Sequence, residues 1–264
     1  MNTFTALNTS TAGGELDGRT AVVTGSSRGI GRAIAVLFAQ RGAAVVLQGR
    51  DRTALAEVYE QITGEGGRAV PLTAELTDAV DVARLRQQAE EAFGPPDVLV
   101  ANAGGSPVRP SLIEDITEHD WRASLEVNLT ATFLTVKAFL PAMKARGRGS
   151  VITVSSAAAR RPHPGSPVAY AAAKAGVELF TKDLAAQAGP YGVRANCLAP
   201  ETILTERNQR EIPADVQEQL VATHPLRRLG TPFDVASAAL FLASDQSAWI
   251  TGVVLDVAGG AVLV

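Results

Sequence analysis

Seven short runs of β-branched and apolar residues constrain this chain more than any other feature: "TAVVT", "AAVVLQ", "RAVPLT", "DVLVANAG", "SVITVSS", "VRANCLAP" and "VVLDVAGG". Their near-continuous apolarity predicts burial on both faces, as in a parallel sheet with helices above and below it. Between the first two runs lies "GIGRAIAVLFAQRG", where Ile30, Ala33, Ile34, Leu37 and Phe38 fall on one helical stripe and Gly42 supplies a stop. This strand-helix-strand pattern recurs without a composition break, a linker or a solenoid-type repeat. It predicts an α/β fold: one doubly wound Rossmann-type domain over residues 16–264, with about seven parallel strands. Residues 1–15, rich in Thr, Asn and Gly, are expected to form a flexible tail, and they lack the basic start and apolar centre of a secretory signal.

The chain has 264 residues, 46% of them hydrophobic, enough for one large core and too few for a large multidomain design. Twenty-four Lys and Arg against 27 Asp and Glu leave a net charge of -3, so no global positive field gathers nucleic acid or anionic lipid. The short basic pairs Arg146/Arg148, Arg160/Arg161 and Arg227/Arg228 read as solvated surface. No run approaches the roughly 18 apolar residues of a membrane span. Lone Cys197, inside "VRANCLAP", reads as a buried core thiol, and the protein as cytoplasmic.

Ligands of open parallel sheets gather beyond the carboxyl ends of the strands. There the unusual residues collect: "TGSSRGIG", "QGR", "ANAGG", "SS" and "APETILT". In the first of these, Gly25, Gly29 and Gly31 suit a tight turn and close backbone approach to a diphosphate at a helix N-terminus. Farther on, "SPVAYAAAKAG" carries Tyr170 and Lys174 one helical turn apart on one face, separated only by alanines.

Gly25-x-x-x-Gly29-Ile30-Gly31, "NAG" at Asn102–Gly104, Asn128 in "EVNLTATF", Ser156 in "VSSAA", Tyr170-x-x-x-Lys174 and "APETILT" occur in one order. Together, from about Leu16 to Gly260, they resemble the short-chain dehydrogenase/reductase family, and among its members the 3-oxoacyl-(acyl carrier protein) reductases. The resemblance implies a nicotinamide dinucleotide cofactor. It would be held by the glycine loop with Ser27, by Glu75 and Leu76 near the adenine, by Asn102, Ala103 and Gly104, by Pro200, Ile203 and Thr205, and by Tyr170 and Lys174. The acid that usually binds the adenosine ribose after the second strand is replaced by Gly49. Arg50 follows it and Arg28 lies in the glycine loop, so NADP(H) is expected ahead of NAD(H), with two guanidiniums meeting a 2'-phosphate.

The resemblance also assigns the chemistry. Tyr170 acts as acid/base on a ketone or secondary alcohol; Lys174 lowers the phenol's pKa and holds the nicotinamide ribose. Ser156 binds the substrate oxygen, with Ser155 as competitor for that role, and Asn128 orients a relay water. Departures from the pattern are Glu75 for an Asp, Glu201 for the glycine after Pro200, Ala258 for an Asp near the C-terminus, and a longer loop before Tyr170 holding Arg160, Arg161 and His163. The segment "ETILTERNQREIPADVQEQLVATHPLRRLG" is expected to close over the substrate, and its polarity speaks against a steroid pocket.

Three functions follow: an NADPH-dependent carbonyl reductase, an NAD-dependent polyol or sugar dehydrogenase, or a catalytically silent dinucleotide-binding sensor or scaffold. The expected partners are a small carbonyl or alcohol substrate and, through Arg146 and Arg148, an acyl carrier protein, although a second docking position is Ala186. No metal is implied. A homotetramer is implied, pairing the helices after the fourth and fifth strands and burying the C-terminal "VLDVAGGAVLV".

Overall fold

The computed structural model describes residues 13–162 and 166–262. In chain order its elements are β1 (Thr20–Thr24), α1 (Gly29–Gln40), β2 (Ala44–Gly49), α2 (Arg52–Gly64), β3 (Arg68–Thr73), α3 (Ala79–Phe93) and β4 (Val98–Ala101). There follow α4 (Glu118–Leu125), α5 (Ala131–Ala145), β5 (Gly149–Val154), α6 (Val168–Ala188), β6 (Val193–Pro200), α7 (Glu206–Glu211), α8 (Ala214–Thr223), α9 (Pro232–Ala243) and β7 (Val254–Val257). A π turn, Glu126–Thr130, joins α4 to α5. The strands form one sheet in the order β3-β2-β1-β4-β5-β6-β7, parallel throughout.

Because strand side chains alternate between faces, successive residues of the central strands serve two different cores. Ala21 and Val23 of β1, with Val45 and Leu47 of β2, pack with Ile34 and Phe38 of α1, Leu55 and Val58 of α2 and Val235 and Leu242 of α9. Val22 and Val46 face the other way, toward Val82 and Leu85 of α3, Phe139 and Met143 of α5 and Leu184 of α6. Of the expected α1 stripe, Ile34, Leu37 and Phe38 are buried, whereas Ile30 and Ala33 are only partly covered. Gly42 has φ +92°, the left-handed backbone that ends α1.

Burial on both faces holds for the inner strands and fails at the edges. β3 and β7 are half-exposed along their length, since each has a neighbouring strand on one side only. The solvated reading of the basic pairs holds for Arg148, Arg161, Arg227 and Arg228, which are exposed, and fails for Arg146 and Arg160. Arg146 donates to the carbonyls of Pro95 and Pro96 and lies 3.5 Å from Asp97, while Arg148 stands 3.1 Å from the same carboxylate. Arg160 is mostly buried between Glu178 and Asp256. Arg228 pairs bidentately with Asp234, which is held well below the usual carboxylate range by that guanidinium despite partial burial. Arg146, Arg148 and Arg160 each find a carboxylate distant in sequence, which no run of sequence announces.

Cys197 is fully buried, and burial pushes its thiol up to about 11. At the C-terminus, Val262 already packs with Ala157 and Ala258 of its own chain. Glu15 pairs with Arg41 at 2.8 Å and Leu16 is fully buried. The rest of the expected tail, residues 1–12, lies outside the described residues, as does His163. Among the described residues no helix is long and apolar enough to cross a membrane.

Candidate active site

At the carboxyl ends of the strands, above the switch from β1 to β4, lies an open cleft of about 840 Å³. One end is the loop between β1 and α1. Gly25 and Gly29 have φ +63° and +54°, conformations that side chains rarely adopt. A Cβ on Gly31 would stand 2.2 Å from the Gly25 carbonyl oxygen, and one on Gly25 would stand 2.9 Å from Ala103 Cα. Two of these glycines are thus required by the protein's own packing, beside any room they leave for a ligand.

The loop is braced from beneath. Buried Gln48 accepts from the Gly25 N–H at 3.0 Å and donates to the Ala74 carbonyl at 2.8 Å. Asn102 donates through Nδ2 to the carbonyls of Thr24 and Gly25, at 2.9 and 3.3 Å, so its side chain positions the loop. The Thr24 hydroxyl accepts from the backbone N–H groups of Asn102 and Ala103. Helix α1, by contrast, has Arg28 at its N-cap with no side-chain cap and no acid in its first turn. Its N–H groups and dipole therefore open onto the cleft, where an anionic diphosphate fits.

Ser27, Ile30, Leu76, Gly104, Pro200, Ile203 and Thr205 line the same cleft, with Thr205 capping α7 above Gly29. The expected arginine pair is also there, each already matched to a carboxylate. Arg28 donates to Asp51, and Arg50 lies 3.7 Å from Glu75. Asp51 also caps α2 by accepting from the Ala54 N–H. Both guanidiniums are largely exposed, at 68% and 79%. Exposed pairs of this kind contribute little, so they yield readily to a stronger anion.

At the other end of the cleft stand Ser156, Tyr170 and Lys174. Ser156 follows β5 and accepts from the Ala158 N–H at 3.2 Å. Burial pushes the Tyr170 phenol above its ordinary value, while its hydrogen bond with Ser156 pulls the other way. The expected lowering by Lys174 is not what dominates here: the Lys174 Nζ donates to the Val154 carbonyl at 2.8 Å and sits 5.7 Å from the Tyr170 ring centroid. Burial pushes that ammonium down to about 8. Of the intervening alanines, Ala173 is fully buried and Ala172 exposed, so smallness serves helix packing as well as access.

Asn128 does not line the cleft; it is fully buried within the π turn. Its Oδ1 accepts from the Gly105 N–H at 3.0 Å, and its Nδ2 donates to the carbonyls of Gly105 and Ser124, both at 2.9 Å. The carboxamide thereby fixes the chain just after "NAG". Ser155 is also buried, its hydroxyl 3.0 Å from both the Lys174 carbonyl and Glu178 Oε1.

Glu201 lines the cleft where the resemblance expects a glycine. Burial opposes its ionisation, but the Thr202 N–H and His224 outweigh it and hold the carboxyl below its usual range. His224 Nε2 faces Glu201 Oε2 at 3.0 Å and Nδ1 faces the Leu220 carbonyl at 2.7 Å. The pair ties α8 to the end of β6. Arg161 stands 3.8 Å from Glu201.

Gln48, Asp51 and Glu178 escaped the sequence reading. The first is a polar residue ending an apolar strand and the third lies on the Tyr170 helical face, two visible signals; Asp51 is an N-cap directly after "QGR". Among the described residues no group of three His, Cys, Asp or Glu is arranged to hold a metal ion.

Comparison with known proteins gives a concordant result. The family model described as enoyl-(acyl carrier protein) reductase matches residues 25–262. A 7alpha-hydroxysteroid dehydrogenase of Escherichia coli is 34% identical over 247 residues, covering 94% of this chain and 95% of that protein. A 3-oxoacyl-[acyl-carrier-protein] reductase of Thermotoga maritima is 35% identical over 248 residues, covering 94% and 99%. A solved structure of a 7 alpha-hydroxysteroid dehydrogenase complexed with NADH and 7-oxo glycochenodeoxycholic acid matches with TM-score 0.88 and 34% identity, over 93% of this chain and 94% of that one.

Proposed function

The chain belongs to the short-chain dehydrogenase/reductase family of NAD(P)-dependent oxidoreductases, and from that premise we propose that it reduces a ketone to a secondary alcohol with NADPH. The observation that carries this reading is the Tyr170 phenol, kept protonated by burial and joined to Ser156, in the same cleft as the uncapped start of α1.

A nicotinamide bound in the cleft would supply the hydride. The oxygen that gains negative charge then needs a proton and a hydrogen-bond donor. Tyr170 Oη is the proton donor and Ser156 Oγ the partner that holds the oxygen beside it. Lys174 contributes a positive charge below about pH 8, where its ammonium is retained. It is suited to hold ribose hydroxyls. Asn128 acts at one remove, by fixing Gly105 beside the cleft. Gly25, Ser27, Ile30, Gly31, Ala103 and Gly104 would hold the dinucleotide along its diphosphate, with Leu76 at the adenine and Pro200, Ile203 and Thr205 opposite.

We assign NADP(H) ahead of NAD(H) because Gly49 offers no carboxylate, and because Arg28 and Arg50 are exposed enough to exchange Asp51 and Glu75 for a phosphate. Those two carboxylates are the observation that favours the second reading, an NAD-dependent dehydrogenase: they leave the patch without net charge. Titrating both reduced cofactors while following nicotinamide fluorescence tests the assignment; equal or tighter binding of NADH would remove it. The substrate is a small polar carbonyl, in keeping with Glu201, Glu206, Arg207 and Arg210 around the cleft. A carrier-protein-linked substrate has less support, since Arg146 is engaged by Asp97 and by two carbonyls. A screen of carbonyls and alcohols with both cofactors, read by nicotinamide absorbance, tests the activity. Homotetramer formation is part of the proposal, with exposed Phe133 and Leu179 on α5 and α6 and Trp249 near the C-terminus as candidate contact residues. Light scattering after gel filtration would decide it.

A further inference from the structure

Helix α6 carries a third functional group in register with the first two. Glu178 lies four residues beyond Lys174 and eight beyond Tyr170, hence on the same helical face and about 12 Å from Tyr170 along the axis. It is buried, outside the cleft, and unused by the chemistry above.

Its two oxygens are divided between the two ends of one short segment. Oε1 accepts from the Ser155 hydroxyl at 3.0 Å, and Oε2 accepts from Arg160 Nη1 at 3.2 Å. Ser155 precedes Ser156 directly, and Arg160 closes the single helical turn Ala157–Ala159 that follows it. Ser155 also reaches the Lys174 carbonyl, so the same hydroxyl touches α6 twice. Arg160 extends the network to Asp256 of β7, with Nε 3.4 Å from Oδ1. The segment bearing Ser156 is therefore clamped on both sides to the helix bearing Tyr170, through one carboxylate.

We propose that Glu178 is a positioning residue that sets the spacing between Ser156 and Tyr170, an inference that rests on the carbonyl-reductase reading. The single hydrogen of the Ser155 hydroxyl is shared between Glu178 and the Lys174 carbonyl, and Arg160 Nε has no hydrogen-bond partner, so removing the carboxylate takes from a buried guanidinium one of its few bonds and leaves Ser155 with the Lys174 carbonyl alone. Ser156 then loses its fixed distance to the phenol, while the glycine loop at the far end of the cleft is untouched.

The test uses the full chain as wild type, Glu178→Ala, Glu178→Gln and Ser155→Ala, on a ketone that the wild type reduces. For Glu178→Ala, kcat is expected to fall by about 10–100-fold, the scale of losses from small misplacements of reacting groups. The affinity for NADPH should be unchanged. The alkaline limb of kcat/KM against pH should move to higher pH, because Tyr170 loses the bond from Ser156 that restrains its pKa. Glu178→Gln, which keeps an acceptor for Ser155, should recover most of kcat. An unshifted pH limb together with wild-type kcat in Glu178→Ala overturns the proposal. So does a loss of activity that falls equally on NADPH binding, as expected of a merely structural residue. Should Glu178→Ala not fold, Ser155→Ala decides: a displaced pH limb supports the clamp, and a wild-type profile overturns it. If wild type and Tyr170→Phe are equally inactive on every carbonyl, the carbonyl-reductase reading itself has failed, and this inference with it.

Discussion

The two ends of the cleft are built on opposite principles. Around Ser156, Tyr170 and Lys174, the polar groups are buried and bonded to backbone or to one another: Lys174 to Val154, Asn128 to Gly105 and Ser124, Ser155 to Glu178. Around the glycine-loop end, Arg28, Arg50, Asp51 and Glu75 form exposed ion pairs. Buried polar groups are costly to rearrange and hold one geometry, whereas exposed pairs exchange partners at little cost. On the proposed reading, the chemistry is placed where geometry is fixed, and the choice of dinucleotide where it is adjustable.

Substitutions at the two ends should expose this difference, the greatest effect coming at the rigid end. Tyr170→Phe removes the proton donor and should lower kcat by about 10²–10⁴-fold, the usual scale for a general acid, without weakening NADPH binding; turnover measured beside a cofactor titration checks both. Lys174→Met reports the cost of burying an ammonium. In the folded chain Lys174 titrates at about 8 against an ordinary 10.5. The unfolded chain therefore holds more protons between those values, and stability rises with pH across that window. The cost is fully present below pH 8 and relieved by pH 10.5, so the stability of Lys174→Met relative to wild type should decline by about 3 kcal/mol across that window in denaturant melts. An unchanging difference would show that the ammonium is not desolvated. Tyr170, common to both chains, cancels from the comparison.

At the adjustable end the expected effects are smaller. Replacing Arg28 and Arg50 together by Ala should weaken NADPH about 10–100-fold, from loss of charge-assisted bonds of about 1.5–3 kcal/mol, and leave NADH nearly unaffected. Parallel weakening of both cofactors would mean that the pair does not read the 2'-phosphate. Arg28→Ala alone should change folding stability by no more than about 1 kcal/mol, since its bond to Asp51 is exposed. A larger loss in a thermal melt would mean that this end is as rigid as the other.

What the sequence made legible divides along the same line. The strands, the glycine loop and the Tyr170–Lys174 face were readable because each depends on periodicity or on conformations specific to one residue type. The edge exposure of β3 and β7 was not, because strand order is a property of the whole sheet. Nor were the partners of Arg28, Arg146 and Arg160, which are carboxylates 23 to 96 positions distant in some cases. The direction of the Tyr170 shift was misread for a related reason: burial of the phenol depends on tertiary neighbours, whereas the position of Lys174 was visible one turn away. Asn102 was expected to meet the cofactor; that its side chain also braces Gly25 was not legible, since the contact exists only once β1 and β4 are adjacent.

The π turn at Glu126–Thr130 has a consequence for how this helix tolerates changes of length. Such a turn accommodates one supernumerary residue without changing the phase of the helices on either side. A chain shortened by one residue within it should close into an uninterrupted α-helix, with Phe139 and Met143 still pointing at the sheet. It would, however, withdraw the carboxamide from Gly105. Such a deletion separates the capacity to fold from the capacity to react, within a single residue of backbone.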